Sequence, residues 1–323
     1  MRSRVLVVVF EDFQTLDALG PAEVFYGVQR VAPESRYEVV LASVAGGSCR
    51  TASGLQIETQ RLLPLRPQAG DTVLVAGADL EPIRVATSDP SLLSWLRRAA
   101  RVARRIGSVC SGAFVLGAAG LLDGKRCATH WAGCAQLAAR YPLAQVLEDA
   151  IYVVDGTLWT SAGVTTGIDM ALAMVEEDLG ARVANGIAAQ AVLYARRPGF
   201  QSQFSPALVA QLEGSDPLGA SIAWARCHLP ALSVETLSHR AGLTVRTLHR
   251  RTRALLGITP AKLIERIRVE HARTLLSSTQ LSQKVVASQA GFSSNAQMQR
   301  ALARHLGMDG RAVRLLFRTE QRA

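Results

Sequence analysis

Cys110 stands in the run Gly107-Ser-Val-Cys-Ser-Gly-Ala-Phe114, where an apolar strand pattern over 106–109 turns into a helical one over 113–119. A cysteine at such a turn meets a helix N-terminus, whose N–H groups and dipole favour thiolate and lower the pKa below about 8.5. This is the arrangement of a nucleophile elbow. His130, the only histidine in the first 200 residues, follows in Thr129-His-Trp131. Asp17 follows the first strand pattern, in Leu16-Asp17…Gly20-Pro21…Glu23-Val-Phe25. Carried beyond C-terminal strand ends, a carboxyl, a thiol and an imidazole can meet in one pocket. Three chemistries are open to them: metabolite binding, covalent catalysis at Cys110, and oxidation of its thiol. The expected ligand contacts are Asp17, Glu23, Cys110, Ser111, His130 and Trp131.

A second set of residues suits nucleic acid. Thr244 precedes a helical stretch over 245–256 whose outward positions are Arg246, His249, Arg250 and Arg253. Ahead of it, Ser233 caps a short helix over 234–240, and Ala241-Gly242-Leu243 breaks the chain between the two. That is helix-turn-helix spacing, with a second helix able to enter a major groove. The break recurs 49 residues later as Ala290-Gly291-Phe292, after a helix over 283–290. Ser293 or Ser294 then caps another helix, with Asn295, Gln297, Gln299 and Arg300 facing out. Arginine suits guanine edges and phosphates, while Asn and Gln suit adenine. Between the units, 261–276 reads as one continuous helix, long enough to hold two readers on successive groove segments.

The first 195 positions alternate strand and helix patterns. Strands are expected over 4–10, 37–43, 71–76 and 106–109, with a hairpin over 151–160 turned by Asp155-Gly156. Helices are expected over 19–31, 92–105, 113–119, 166–179 and 182–195. Interleaving of this kind implies an α/β, doubly wound parallel sheet. Residues 196–217 read as a linker with one short helix over 207–212. From 218 onward every segment fits a helical period. The expected organisation is therefore 1–195 sensor and dimerisation domain, 196–217 linker, and 218–323 an all-α domain with two helix-turn-helix units.

Composition narrows the classes. Of 323 residues, 49% are hydrophobic and 19% charged, which suits a packed core rather than disorder. Five cysteines with no CxxC pair argue against a disulfide framework and a structural zinc site. The aliphatic run 5–10 is far short of the roughly 20 residues of a membrane span. Acidic residues follow it directly with no cleavage motif, so a cytosolic protein is expected. Residues 1–200 carry 19 basic and 19 acidic side chains, whereas 201–323 carry 17 and 7. The whole net charge of +10 thus lies in the last 123 residues, which points to a polyanion partner for them.

Residues 218–318 resemble the AraC/XylS-type DNA-binding domain. The likeness runs over Leu232-Ser-Val-Glu-Thr-Leu237, Arg240-Ala-Gly-Leu243, Arg246-Thr-Leu-His-Arg-Arg251, Leu256-Gly-Ile-Thr-Pro260, 266–276 and Ala290-Gly-Phe292. The resemblance implies transcriptional regulation through double-stranded DNA, with RNA polymerase as a further contact. Departures are Thr252, Leu302 and Leu306 where that family usually has Phe, and Asp309-Gly310…Val313 for its closing Ser-Pro…Tyr. The lost volume leads us to expect a looser second unit.

Residues 4–195 resemble the DJ-1/PfpI superfamily, over 108–116, Ala119-Gly-Leu-Leu-Asp-Gly124, Ala128-Thr-His-Trp131, Thr160-Ser-Ala-Gly163 and Gly167-Ile-Asp169. The two domains in this order are similar to GlxA-type transcriptional regulators, a group to which the developmental regulator AdpA is also similar. The resemblance implies a homodimer answering a small-molecule effector. PfpI-type hydrolases carry His directly after the nucleophile, where Ser111 stands here. Amidotransferases carry a late catalytic His, where this chain has Ser161-Ala-Gly163. Isonitrile hydratases of the superfamily use an Asp and a Cys similar to Asp17 and Cys110. We expect a regulator and no enzyme, with no catalytic residue, cofactor, metal or membrane partner; the alternatives are a Cys110-dependent hydrolase or hydratase, or a redox sensor, coupled to DNA binding.

Overall fold

The computed structural model describes residues 2–194, 196–201, 203, 217–306 and 308–320. The chain divides into two compact units, Met1–Gln201 and Ser202–Ala323. The expected short helix over 207–212, and most of the expected linker, lie outside the described residues.

In the first unit, strand β1 (Arg2–Val8) leads into helix α1 (Thr15–Val31), and β2 (Arg36–Ser43), β3 (Gly47–Arg50), β4 (Gln56–Arg61) and β5 (Thr72–Val75) follow. Next come α2 (Leu80–Ala86), α3 (Pro90–Val102), β6 (Arg105–Val109) and α4 (Gly112–Ala118). The unit closes with β7 (Arg126–Cys127), α5 (Cys134–Arg140), β8 (Gln145–Val146), β9 (Tyr152–Asp155), β10 (Leu158–Ser161), α6 (Thr165–Leu179) and α7 (Ala181–Gln190). The main sheet has the order β3-β4-β2-β1-β5-β6-β10-β9. Its interior pairings are parallel, and β3 and β9 run antiparallel at the two edges.

Continuous apolar strands let both faces of this sheet be covered. Leu6 and Val8 point into one core with Val73, Val75, Leu96, Leu116 and Leu122. Val5, Val7 and Val9 point into the other with Phe25, Val28, Met170, Leu172 and Val175. Arg105, expected at the end of a helix, instead opens β6. Its buried guanidinium is held by Asp178 of α6, and Tyr37 of β2 donates to the same carboxylate at 2.5 Å. The hairpin expected at Asp155-Gly156 joins β9 and β10. The polar segments β3 and β4, and the short helices α2 and α5, were not legible as elements.

In the second unit the helices are α8 (Pro217–Cys227), α9 (Val234–Arg240), α10 (Val245–Leu256), α11 (Pro260–Ser278), α12 (Gln283–Gln289), α13 (Asn295–Leu306) and α14 (Gly310–Glu320). Hydroxyl and carboxylate caps set most of their starts. Ser233 and Thr236 cap α9 reciprocally, and Thr244 accepts from Thr247 N at 3.2 Å. Thr259, Ser282 and Ser294 accept from Lys262, Val285 and Gln297 amides, and Asp309 from those of Arg311 and Ala312. Helix α11, 19 residues and about 28 Å long at ~1.5 Å per residue, packs against members of both helix-turn-helix units. The inward stripe of α10 is Leu248, Thr252 and Leu256. Leu255 lies about 20° round the helix from Leu248, at the margin of this stripe and about 60° from its centre at Thr252, and is 51% exposed. In the second unit Leu302 and Leu306 are buried with Met298, Phe292 and Val313.

Candidate functional site

The elbow forms where β6 ends. Cys110 adopts φ +57°, a left-handed conformation that few non-glycine residues take. Its N–H donates to Ser161 O at 2.9 Å and its carbonyl accepts from Thr129 Oγ1 at 2.9 Å, so β10 and the β7 loop clamp the turn. Ser111 Oγ donates to Ala78 O at 2.6 Å and accepts from Ala78 N at 2.9 Å. That ties the elbow to the segment after β5.

Asp17 approaches from the first turn of α1 and is 1% exposed. Its Oδ1 accepts from Val164 N at 2.7 Å. Its Oδ2 lies toward the Cys110 thiol and the Gly77 amide, both of which pull the carboxyl pKa down, but meets neither in hydrogen-bond geometry. Burial pushes this carboxyl above its ordinary range, against the pull of the Val164 amide. The corner closes on two glycines. A Cβ on Gly77 would lie 2.6 Å from Asp17 Oδ2, 2.7 Å from Cys110 Cβ and 2.8 Å from Ser111 Oγ. Gly163, at φ +110°, passes so close that a Cβ would stand 2.8 Å from Cys110 Sγ.

Burial and charge both disfavour the thiolate. Burial first, and the Asp17 carboxylate second, push Cys110 up to about 12, while the Ser111 amide pulls weakly the other way. The expected lowering is therefore corrected: desolvation outweighs the opening turn of a seven-residue helix. His130 does not complete a triad. It accepts from its own turn, Ala132 N to Nδ1 at 3.4 Å, and its ring leans on Trp131 with centroids 5.2 Å apart. Burial lowers its pKa. Trp131 is 44% exposed, and Glu23 is on the outer face of α1, 3.4 Å from Arg30. The structure thus brings Asp17, Cys110 and Ser111 together and leaves Glu23 apart. Thr129, Gly77, Ser161 and Val164 complete the corner; only their place beside strand ends marked them in the sequence.

A separate cleft of about 460 Å³ opens at the ends of β1 and β2, lined by Phe10, Glu11, Asp12, Val44, Cys49 and Val85 among others. Among the described residues no group of three or more His, Cys, Asp or Glu side chains converges as a metal site requires.

The second unit offers a nucleic-acid face. Arg246, His249, Arg250 and Arg253 are exposed along α10, and no ion pair among the described residues holds them. On α13 the residues divide. Arg300 is exposed, and Ser294 caps the helix. Gln297 is turned back, its Oε1 accepting from Ser293 N and Oγ, both at 2.8 Å. Gln299 is half-buried and bonded within the domain. Asn295 Oδ1 accepts from Gln299 Nε2 at 3.2 Å.

Residues 3–177 match the DJ-1/PfpI family and residues 237–315 the helix-turn-helix domain. The chain belongs to the DJ-1/PfpI family, in the form that carries an AraC-type helix-turn-helix domain after the α/β unit. It is 32% identical over 267 residues to the HTH-type transcriptional regulator CdhR of Pseudomonas aeruginosa, covering 82% of this chain and 78% of that one. It is 30% identical over 314 residues to the HTH-type transcriptional regulator GlxA of Rhizobium meliloti, covering 93% and 92%. An isonitrile hydratase of Pseudomonas putida is 33% identical over 202 residues, covering 62% of this chain and 83% of the hydratase.

Proposed function

We propose that this chain is a sequence-specific transcriptional regulator whose α/β unit senses a small metabolite and whose helical unit binds double-stranded DNA. The observation that carries it is the row of exposed basic side chains on α10, without an ion pair among the described residues, on the second helix of a helix-turn-helix in the last 123 residues, which hold all the net charge. The regulator names of relatives matched along both units support the same reading. The protein acts in the cytosol as a homodimer and meets RNA polymerase at its promoters. No helix of the described residues is long and apolar enough to cross a membrane.

The effector reaches the corner of Asp17, Cys110 and Ser111, beside His130 and Trp131. Asp17 Oδ2 supports this: a buried carboxyl oxygen without a partner is costly, and a ligand donor would satisfy it. The corner binds rather than turns over its ligand, since a thiol held near 12 is a poor nucleophile at neutral pH. The effector must bind one arrangement of the DNA-binding units more tightly in order to shift it.

The test is fluorescence anisotropy of the full chain on DNA from upstream of its own gene and neighbouring operons, at two salt concentrations, against scrambled DNA. Saturable binding well above the scrambled control, weakening with salt, is expected. A metabolite that shifts this affinity should lose its effect in Asp17→Asn. Failure of every genomic fragment, together with turnover abolished by Cys110→Ser, would replace the regulator by an enzyme.

A further inference from the structure

Gln299 lies midway along α13, the helix expected to read DNA, yet its amide is spent inside the domain. Its Nε2 donates to Gln283 Oε1 at 2.9 Å and to Asn295 Oδ1 at 3.2 Å, and its Oε1 accepts from Gly310 N at 2.8 Å. Gln283 is the first residue of α12 and Gly310 the first of α14. One side chain therefore ties α13 to the opening turns of the helices before and after it. A primary amide has two N–H donors, and both are engaged. Bidentate recognition of adenine needs one of those donors together with the carbonyl oxygen. Gly310 suits the contact on two counts. It keeps the N–H that proline would lack, and a Cβ there would crowd Gln299 Nε2 at 3.2 Å and Leu302 Cδ1 at 3.4 Å.

The rest of α13 is similarly committed. Arg304 bonds Glu265 of α11 at 2.7 Å, and His305 Nε2 meets the same carboxylate at 2.7 Å. Gln297 closes the helix start, and Asn295 Oδ1 is occupied by Gln299. Of the two arginines on α13, only Arg300 stands exposed without a described partner.

Resting on the reading of this domain as DNA-binding, we propose that Gln299 is a positioning residue that fixes the angle of α13, and that base readout in the second half-site falls to Arg300. The bipartite site is then unequal. One half is specified by the basic row of α10, and the other by a single arginine on a helix locked at both ends.

Two measurements on the full chain test this. The first needs no DNA: a double-mutant cycle of Gln299→Ala and Gln283→Ala in thermal unfolding. The lock predicts that the second truncation adds little once the first is made. Additive losses would overturn it. The second uses an operator selected from a genomic library, with every base pair substituted singly. Gln299→Ala should weaken all of these sequences by a common factor of about 10, leaving the pattern of preferences unchanged. Gln283→Ala, which leaves α13 itself unaltered, should do the same. Arg300→Ala should erase preference at one or two base pairs of one half-site. Loss of preference at a particular base pair in Gln299→Ala, with the unfolding temperature kept, would make Gln299 a base reader and defeat the proposal. If selection recovers no operator at all, the regulator reading fails and the readout claim with it, while the cycle still decides the lock.

Discussion

Cys110 and Asp17 shape one another. The carboxylate beside the thiol is one reason the thiol stays neutral, but burial is the larger. With its pKa pushed up to about 12, the thiol stays overwhelmingly neutral at pH 8. Iodoacetamide followed by mass spectrometry should therefore label exposed Cys227 well before Cys110. Labelling of Cys110 should keep rising above pH 9, where an ordinary thiol levels off. Asp17→Asn should speed it by removing the neighbouring charge, yet leave it slower than Cys227, because the burial remains. A Cys110 rate that saturates near pH 8.5 would mean an activated thiol and would reopen catalysis. The same shift carries a stability consequence. A thiol pKa raised by folding stabilises the fold below pH 9, and that contribution is lost as pH climbs from about 9 toward 12. At this scale the sequence was legible where a side chain follows a strand end directly, as Cys110 does. It could not show which way Glu23 faces. Six residues from Asp17 along α1, Glu23 is turned about 120° away on the helix.

Helix α10 shows how one residue sets the fit of an element. Thr252 occupies the middle of its inward stripe with no exposed surface, and its Oγ1 has no partner. A buried hydroxyl without a hydrogen bond costs free energy, and valine has nearly the same shape. Thr252→Val should therefore raise stability by about 1 kcal/mol, seen as a higher urea midpoint for the helical unit at unchanged slope. A lower midpoint would show that the hydroxyl is satisfied in solution. The two helix-turn-helix units differ in what they bury. Leu302 and Leu306 are buried in the second, whereas the orphan hydroxyl belongs to the first. Helix starts were legible because Ser233, Thr244 and Ser294 sit one residue ahead of their helices. Strands β3 and β4 were not, since Gln56–Arg61 is mostly polar. It becomes a strand by pairing with β3 along its first four residues and with β2 at its end.

Across the whole chain, charge is segregated: a neutral α/β unit precedes a helical one carrying the entire excess. Binding to DNA should therefore depend steeply on salt through the second unit alone. On α10, Arg253→Ala should weaken all sequences alike and lower the log–log salt slope by about 1, as expected for a phosphate contact. Arg250→Ala should instead relax choice at one or two base pairs, at a cost of about 1–3 kcal/mol. Identical behaviour of the two variants in anisotropy titrations would remove the distinction between reading and anchoring on this helix.

What the sequence determined alone is what depends on local pattern. Apolar strand runs, capping residues, glycine breaks and the split of charge follow from short-range rules, and they were enough for two domains, their classes and the two helix-turn-helix units. What the tertiary structure decided is what depends on partners distant in the chain. Asp17 is 147 residues from the Val164 amide that holds it, and Gln299 is 16 and 11 residues from the helix starts it joins. A residue type names the hydrogen bonds and charges a side chain can make. Only packing decides which of them are spent inside the protein, and so which remain for a ligand or for DNA.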